Sequence, residues 1–170
     1  MLDLDLVRSA FPALASGFVF LDNAGGSQTL AGVADRVRDY LLTTNVQLGA
    51  SYAVSEAAGA RVRAAVRATA SYLGTDDPRE VVFGSSTTQL VDNLALAMAP
   101  RLSPGDEIVV TTADHHANVG AWRRLAQQGV VIRTWELDRE TLRLETRDLL
   151  PLLNDRTRLV AFTHVSNLLG

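Results

Sequence analysis

The sequence predicts an α/β protein with a mainly parallel sheet and flanking helices. From about residue 80 onward, short apolar strands alternate with helical segments, and this alternation implies right-handed crossovers between parallel strands. Polar clusters follow three of the strands at their carboxyl ends, where open α/β sheets bind ligands. The chain has 170 residues, 47% hydrophobic and 21% charged, which is the composition of a globular domain with a sizeable core.

Residues 1–75 are predicted to form an N-terminal helical segment that is peripheral to the sheet. Its predicted elements, in order, are a helix within Asp3–Ala15 that ends near Phe11-Pro12, a strand at Phe18–Leu21, a glycine-bearing turn at Asp22–Ser27, a helix at Gln28–Leu42, and a helix from about Ser55 to Leu73. Apolar residues at helical spacing indicate the second helix. Gly74 is a natural C-cap for the third.

Residues 76–170 are predicted to form an incomplete parallel α/β domain. Its predicted elements, in order, are strand Val81–Phe83, helix Thr88–Ala99, strand Glu107–Thr111, helix Asn118–Gln128, strand Val130–Trp135, a short helix near Asp148–Leu153, and strand Arg158–Thr163. The helix at Thr88–Ala99 is apolar on most of its sides, so we expect it to be buried.

Composition excludes several classes of function. The net charge of −3 and the absence of a basic stripe argue against a nucleic-acid partner. No apolar run reaches membrane-spanning length, and no basic segment precedes an apolar one at the N-terminus, so a cytoplasmic protein is expected. There is no cysteine, and all 16 basic residues are arginine, so the chain offers neither a thiolate nor a lysine amine.

The stretch Glu80–Leu94 contains the densest group of hydroxyls in the chain. Ser85, Ser86, Thr87 and Thr88 stand where the predicted helix begins. A helix N-terminus has unpaired N–H groups and the positive end of the helix dipole, which favour a phosphate. Serine and threonine are also preferred as plain helix caps. The stretch alone is therefore compatible with a phosphate cradle or with a cap.

Two further clusters are expected at the same edge of the sheet. Asp114-His115-His116-Ala117-Asn118 follows strand Glu107–Thr111, and His164-Val165-Ser166-Asn167 follows strand Arg158–Thr163. Adjacent histidines point in different directions, so one of the pair can face a ligand while the other packs or caps. Each cluster also has a structural interpretation, because Asn118 can cap its helix and Asn167 can form a turn.

Together, these motifs resemble the class V aminotransferase family of pyridoxal-phosphate enzymes, and most of all its cysteine desulfurase and selenocysteine lyase-like branch. The matching segments are Phe20–Gly26, Ser86–Gln89, Asp114–Asn118 and Thr163–Gly170. The resemblance implies the large domain of a fold-type I enzyme, with residues 76–170 as its incomplete cofactor-binding part. It also implies pyridoxal 5′-phosphate as cofactor, an amino acid as substrate and a homodimer.

The resemblance assigns a role to each matching residue. Thr87 and Thr88, with Ser86 beside them, correspond to the segment that holds the cofactor phosphate. His115 corresponds to the histidine that stacks on the cofactor ring, and Asn167 to the residue that hydrogen-bonds the phenolic oxygen of the ring. Ala24 and Gly25 correspond to the segment that lines the substrate side. No metal ligand is implied.

Some positions depart from the family pattern. Gln89 stands where many relatives have glutamate, and Asn45-Val46-Gln47-Leu48-Gly49 stands where several desulfurases have a His-Arg-Gly type of sequence. The family's Schiff-base lysine, its aspartate at the pyridinium nitrogen and its desulfurase cysteine all follow the Ser-Asn motif. We therefore expect the chain to be the N-terminal fragment of a larger enzyme. The fragment contains no catalytic residue and is expected to be inactive alone.

Two alternatives remain at this point. The Asp-His-His sequence also resembles the DHH phosphoesterases, which bind divalent metals. Such a site needs further carboxylates, and Asp3-Leu4-Asp5 is the nearest match to an Asp-x-Asp pair although no strand precedes it. The other alternative is a non-enzymatic α/β binding module.

Overall fold

A computed structural model describes residues 2–170. They divide into two compact units, of which the first ends at Val82 and the second comprises Phe83–Gly170. The domain boundary that the sequence predicts after residue 75 stays a prediction. Among the described helices, none combines the length and the apolar character that a membrane span requires.

The first unit is helical. Helix α1 (Leu4–Ser9) is capped by Asp3 and followed by a 3-10 turn at Pro12–Ser16; α2 (Ala31–Thr43) and the long α3 (Ala53–Leu73) follow. Gly74 ends α3 with a φ of 80°, so the predicted C-cap is confirmed, and only a glycine adopts this conformation without strain. Arg61 of α3 pairs with Asp39 of α2 at 2.7 Å.

The second unit contains a three-stranded sheet. The elements in chain order are α4 (Thr87–Met98), β1 (Glu107–Thr111), α5 (His116–Arg124), β2 (Val131–Trp135), α6 (Thr146–Leu149) and β3 (Thr157–Val160). The strand order is β2-β1-β3, and both pairings are parallel, with Thr111 beside Trp135 and Val109 beside Val160. The predicted parallel α/β fold is confirmed.

The core of the second unit lies between the sheet and helices α4 and α5. All five residues of β1 are buried, and β1 is the central strand of the sheet. Ile108 and Val110 point into a cluster that includes Ala95 of α4 and Trp122 of α5. Arg124 and Asp92 form an ion pair between the two helices. This packing fixes the N-terminal ends of α4 and α5 relative to the carboxyl ends of the strands.

Several element predictions are wrong. Phe18–Leu21 and Val81–Phe83 are not strands, since no neighbouring backbone pairs with them in the described part of the chain. The prediction that helix α4 is buried is also wrong. Ala95 is buried, but Leu94 and Leu96 are 52% and 66% exposed. The reason is that the core covers only one side of α4. Strand β3 ends at Val160, three residues earlier than predicted.

Candidate functional site

A cavity of about 470 Å³ lies in the second unit, beside the carboxyl ends of β1 and β3. Three segments contribute to its wall: the first turns of α4, the loop and first turn of α5, and the turn after β3. The residues that line it are Thr87, Thr88, Val91, Asp114, His115, Ala117, Asn118, Thr163, Val165 and Asn167. Four residues that the sequence predicts as ligand-binding (Thr87, Thr88, His115 and Asn167) therefore lie around one cavity, whose size is typical of small-molecule sites.

The N-terminus of α4 presents unused hydrogen-bond donors to this cavity. Ser86 is the N-cap, and its Oγ accepts the N–H of Gln89 at 3.2 Å. Among the described residues, nothing accepts the N–H groups of Thr87 and Thr88 or pairs with their hydroxyls. Both side chains are exposed. Because α4 has 12 residues, these donors stand at the positive end of a full helix dipole.

Ser86 itself is not part of the cavity wall. Its hydroxyl oxygen is engaged as the helix cap, which agrees with the structural interpretation of the stretch. A serine hydroxyl that accepts one hydrogen bond still has a proton to donate. Its predicted contact with the cofactor thus stays a prediction.

Gln89 fixes the loop that leads into α4. Its Oε1 accepts the N–H of Ser85 at 3.1 Å and the hydroxyl of Ser85 at 2.8 Å. The arrangement resembles a capping box, in which the residue three places after the cap reaches back to the preceding backbone. An amide oxygen satisfies both donors, so the glutamine that departs from the family pattern preserves the local structure.

His115 is the N-cap of α5. Its Nδ1 accepts the N–H of Ala117 at 3.1 Å, which places the ring proton of the neutral imidazole on Nε2. The two histidines are used differently, as the sequence predicts for an adjacent pair. His116 lies against its own helix, where a Cβ added at Gly120 would be 2.8 Å from Nε2 of His116. His115, not His116, lines the cavity.

Asp114 and Asn118 form a pair in the same wall. Asn118 Nδ2 donates to Asp114 Oδ2 at 2.7 Å, and the N–H of His115 donates to Asp114 Oδ1 at 2.7 Å. The interpretation of Asn118 as the cap of its helix is wrong, because α5 begins two residues earlier and is capped by His115. Sequence reasoning placed both residues in the cluster that follows β1, but it did not predict that they pair with each other. The signal was their spacing of four, which brings Asp114, just before the cap of α5, within reach of Asn118 in the first turn.

Asn167 and Thr163 come from the turn that follows β3. Thr163 Oγ1 donates to the carbonyl of Val165 at 2.8 Å, and Ser166 Oγ accepts the N–H groups of Leu168 and Leu169. These bonds hold the turn and leave the exposed side chain of Asn167 without a partner among the described residues. His164 is exposed and does not line the cavity.

Ala24 and Gly25 belong to the first unit. The N–H of Gly25 donates to the carbonyl of Asp22 at 3.2 Å and to Asp22 Oδ1 at 3.3 Å. A Cβ at position 25 would lie 2.8 Å from Asp22 Oδ2, so a larger residue there would displace the Asp22 side chain from this turn. The predicted position of Ala24 and Gly25 on the substrate side stays a prediction. In residues 2–170, no three histidine or carboxylate side chains are grouped as a metal site requires.

Comparisons with known proteins cover nearly the whole chain. The model of the family described as aminotransferase class-V matches residues 19–170. An aminotransferase-like protein of Gibberella zeae is 45% identical over an alignment of 175 residues that covers 98% of this chain and 42% of that protein. The cysteine desulfurase CsdA of Escherichia coli is 34% identical over an alignment of 166 residues that covers 96% of this chain and 41% of that protein.

Solved structures give the same result. The crystal structure of Escherichia coli CsdA superposes with a TM-score of 0.82 at 30% identity, over 98% of this chain and 42% of that one. The apo cysteine desulfurase of Thermococcus onnurineus superposes with a TM-score of 0.87 at 27% identity, over 98% and 41%. The chain therefore spans about two fifths of the length of these relatives.

Proposed function

Because the chain belongs to the class V aminotransferase family, we propose that the cavity beside α4 and α5 holds pyridoxal 5′-phosphate in an enzyme that acts on an amino acid. The observation that carries the proposal is the meeting of Thr87, Thr88, His115 and Asn167 around one cavity. When bound, the cofactor supplies an electron sink for the substrate. The chain supplies binding, orientation and hydrogen bonds.

The donor set fits each part of the cofactor. The free N–H groups and hydroxyls of Thr87 and Thr88 suit a phosphate dianion. The helix dipole contributes about 0.3–1 kcal/mol there, and each hydrogen bond to a charged group about 1.5–3 kcal/mol. The flat imidazole of His115 offers a surface for an aromatic ring. The free amide of Asn167 can donate to the phenolic oxygen. Ser86, beside Thr87, is proposed to add a hydroxyl donor.

The remaining chemistry is assigned to the whole protein. The chain has no lysine, so we propose that the lysine that carries the cofactor lies in the further three fifths of length that the relatives possess. The chain by itself is then expected to bind the cofactor without a covalent bond and to be inactive. Ala24 and Gly25 are proposed to line the substrate side. We further propose a cytoplasmic enzyme that acts as a homodimer.

The reaction is proposed at the level of the family, as an amino-acid lyase, desulfurase or aminotransferase. The relatives that guide this proposal include enzymes named as cysteine desulfurases. Asn45–Gly49 has no histidine, so a general acid or base at that segment is missing. This feature favours a reaction other than desulfuration. Membership of the class V aminotransferase family and the absence of a grouped metal-ligand set in residues 2–170 favour this proposal over the phosphoesterase.

Binding of pyridoxal 5′-phosphate to the purified chain tests the proposal. We expect saturable binding in equilibrium dialysis, weaker binding of pyridoxal, which lacks the phosphate, and loss of binding in His115→Ala. After reduction with borohydride, mass spectrometry should find no adduct on a side chain, once the N-terminal amine is excluded. Binding that survives His115→Ala, Thr88→Val and Asn167→Ala would place the cofactor elsewhere. A reduced adduct on a side chain would contradict the proposal that the lysine that carries the cofactor lies outside these residues.

A further inference from the structure

A chain of hydrogen bonds connects the core of the second unit to the cavity wall. Trp122 Nε1 donates to Asn118 Oδ1 at 3.4 Å, Asn118 Nδ2 donates to Asp114 Oδ2 at 2.7 Å, and Asp114 Oδ1 accepts the N–H of His115 at 2.7 Å. Trp122 is only 2% exposed and belongs to the core. Asp114 and Asn118 line the cavity. This series of hydrogen bonds therefore runs from a buried side chain of the core to His115, which lines the cavity.

Hydrogen bonds hold the backbone of His115 on both sides. Its N–H is bound by Asp114, and its carbonyl accepts the backbone N–H of Asn118 at 3.0 Å. With the backbone fixed, Nδ1 of the ring meets the N–H of Ala117 at 3.1 Å. The plane of the ring and the position of its proton on Nε2 are both set by these contacts.

Helix capping does not account for the side chain of Asn118. The cap of α5 is supplied by His115, and the amide of Asn118 binds two side chains instead of the helix N–H groups. Its oxygen and nitrogen are both used, one toward the core and one toward Asp114. An amide can accept from an indole and donate to a carboxylate at the same time.

We propose that Asn118 is a positioning residue that, through Asp114, orients the imidazole of His115 for contact with the cofactor ring. The proposal rests on the proposed function for the nature of the ligand. Its structural half concerns only this chain: without the Asn118–Asp114 pair, His115 leaves its cap position and loses its single Nε2–H tautomer.

An exchange of the two side chains tests the proposal. Asp114→Asn alone brings two amides together, and with Trp122 as a fixed donor no orientation of the pair satisfies every N–H. Asn118→Asp alone brings two carboxylates together. The double variant Asp114→Asn/Asn118→Asp restores an amide–carboxylate pair in which each of the three hydrogen bonds has a donor and an acceptor. The net charge of the double variant equals that of the native chain.

Two measurements report on these variants. Nitrogen-15 NMR of the ligand-free chain identifies the tautomer of His115, with His116→Gln and His164→Gln used to assign the three histidines. We expect one Nε2–H tautomer in the native chain, a mixture in each single variant, and one tautomer again in the double variant. Equilibrium dialysis with pyridoxal 5′-phosphate should show about a tenfold loss in each single variant and recovery in the double variant.

Asn154→Ala is the matched control. Asn154 Nδ2 also donates to a carboxylate, Glu107 Oε2 at 2.9 Å, but at the amino-terminal end of β1. Its removal should leave the His115 tautomer and the dialysis result at native values. If a single exchange does not fold, Trp122→Phe removes the indole donor while keeping an aromatic ring in the core, and it should give the same tautomer mixture in weaker form.

The outcomes separate this proposal from the proposed function. Native tautomer and native affinity in Asp114→Asn, in Asn118→Asp and in Trp122→Phe would overturn the positioning role while the cofactor site stands. The expected tautomer pattern without any binding of pyridoxal 5′-phosphate would support the positioning of His115 and overturn the ligand. A double variant that stays as altered as the single variants would also contradict the proposal.

Discussion

Gly84 lies so close to the side chain of Leu90 that a Cβ at position 84 would be 2.6 Å from Leu90 Cδ2 and 2.7 Å from Cγ. Leu90 is in the first turns of α4, so this contact sets how the loop enters the helix that carries Thr87 and Thr88. We expect Gly84→Ala to lower the free energy of unfolding by about 1–3 kcal/mol, the usual cost of overpacking. Urea denaturation measures the loss.

Gly32→Ala is the control for this substitution. Gly32 lies inside α2, and a Cβ there would meet no atom within 4 Å. Alanine is the better helix former by about 1 kcal/mol, so the control should be neutral or stabilised. Equal destabilisation of both variants would show that the contact between position 84 and Leu90 is not the cause.

The second prediction concerns the acid stability of the sheet. Glu107, in β1, accepts hydrogen bonds from Arg133 Nε at 3.0 Å, from Arg133 Nη2 at 3.1 Å and from Asn154 Nδ2 at 2.9 Å. The bonds from Arg133, followed by the one from Asn154, hold the pKa of the Glu107 carboxyl below its ordinary value of 4.5. The charged form is therefore the one that the fold stabilises.

The lowered pKa of Glu107 determines how the stability of the fold changes with pH. A carboxyl whose pKa is lower in the folded state contributes stability above the unfolded pKa and loses it as the pH falls through the folded pKa. We expect the unfolding free energy of the native chain to decrease below about pH 4.5, and Arg133→Met to make this decrease shallower. Arg123→Met, an exposed change on α5, should keep the native slope. Parallel slopes in Arg133→Met and the native chain would contradict the prediction.

The parallel sheet could be predicted from the sequence because its signal is local. Strand β1 has the predicted bounds, Glu107–Thr111, since an apolar run follows a Pro-Gly turn. Val81–Phe83 has the same local pattern, and Val81 even has extended backbone angles of −112° and 122°. A strand also needs a neighbour to share its hydrogen bonds, and a local pattern does not specify one. For the same reason, the exposed face of α4 could not be predicted.

The candidate site could likewise be predicted only in part. Thr87, Thr88, His115 and Asn167 could be placed at one edge because strand ends in a parallel sheet share an edge, and the structure places them around one cavity. The pairing of Asp114 with Asn118 could not be predicted once the start of α5 was placed at Asn118. Element boundaries are the least certain part of such predictions, and a shift of two residues concealed the contact between Asp114 and Asn118 in the first turn of α5.

The third prediction separates the phosphate contact from the rest of the cofactor site. Thr87→Val and Thr88→Val remove one hydroxyl each with little change in shape. Each should weaken binding of pyridoxal 5′-phosphate about tenfold or more, because a hydrogen bond to a charged group contributes about 1.5–3 kcal/mol. Binding of pyridoxal should not change. Thr146→Val, at the first position of the short helix α6, is the control and should bind both compounds as the native chain does.

The fourth prediction concerns the turn after β3. Asn167 is exposed and has no hydrogen-bond partner in residues 2–170, so its removal should not affect stability by more than about 0.5 kcal/mol. Asn167→Ala should nevertheless weaken binding of pyridoxal 5′-phosphate about fivefold. A 3-deoxy analogue, which lacks the phenolic oxygen, should bind the native chain and the variant equally. Unequal binding of the analogue would show that Asn167 acts on another part of the ligand.

The last prediction separates the two roles assigned to Ser86. Its Oγ caps α4 by accepting the N–H of Gln89. Replacement of a cap serine by alanine costs about 1 kcal/mol of stability, but replacement by glycine costs only a few tenths. Ser86→Ala and Ser86→Gly remove the same hydroxyl, so they differ in helix stability and not in what they can donate to a ligand. Urea denaturation should therefore distinguish the two variants.

If the hydroxyl also donates to the cofactor phosphate, dialysis should show about the same tenfold loss of pyridoxal 5′-phosphate affinity in both. Native affinity in Ser86→Gly would mean that Ser86 only caps the helix, and that Thr87 and Thr88 alone hold the phosphate.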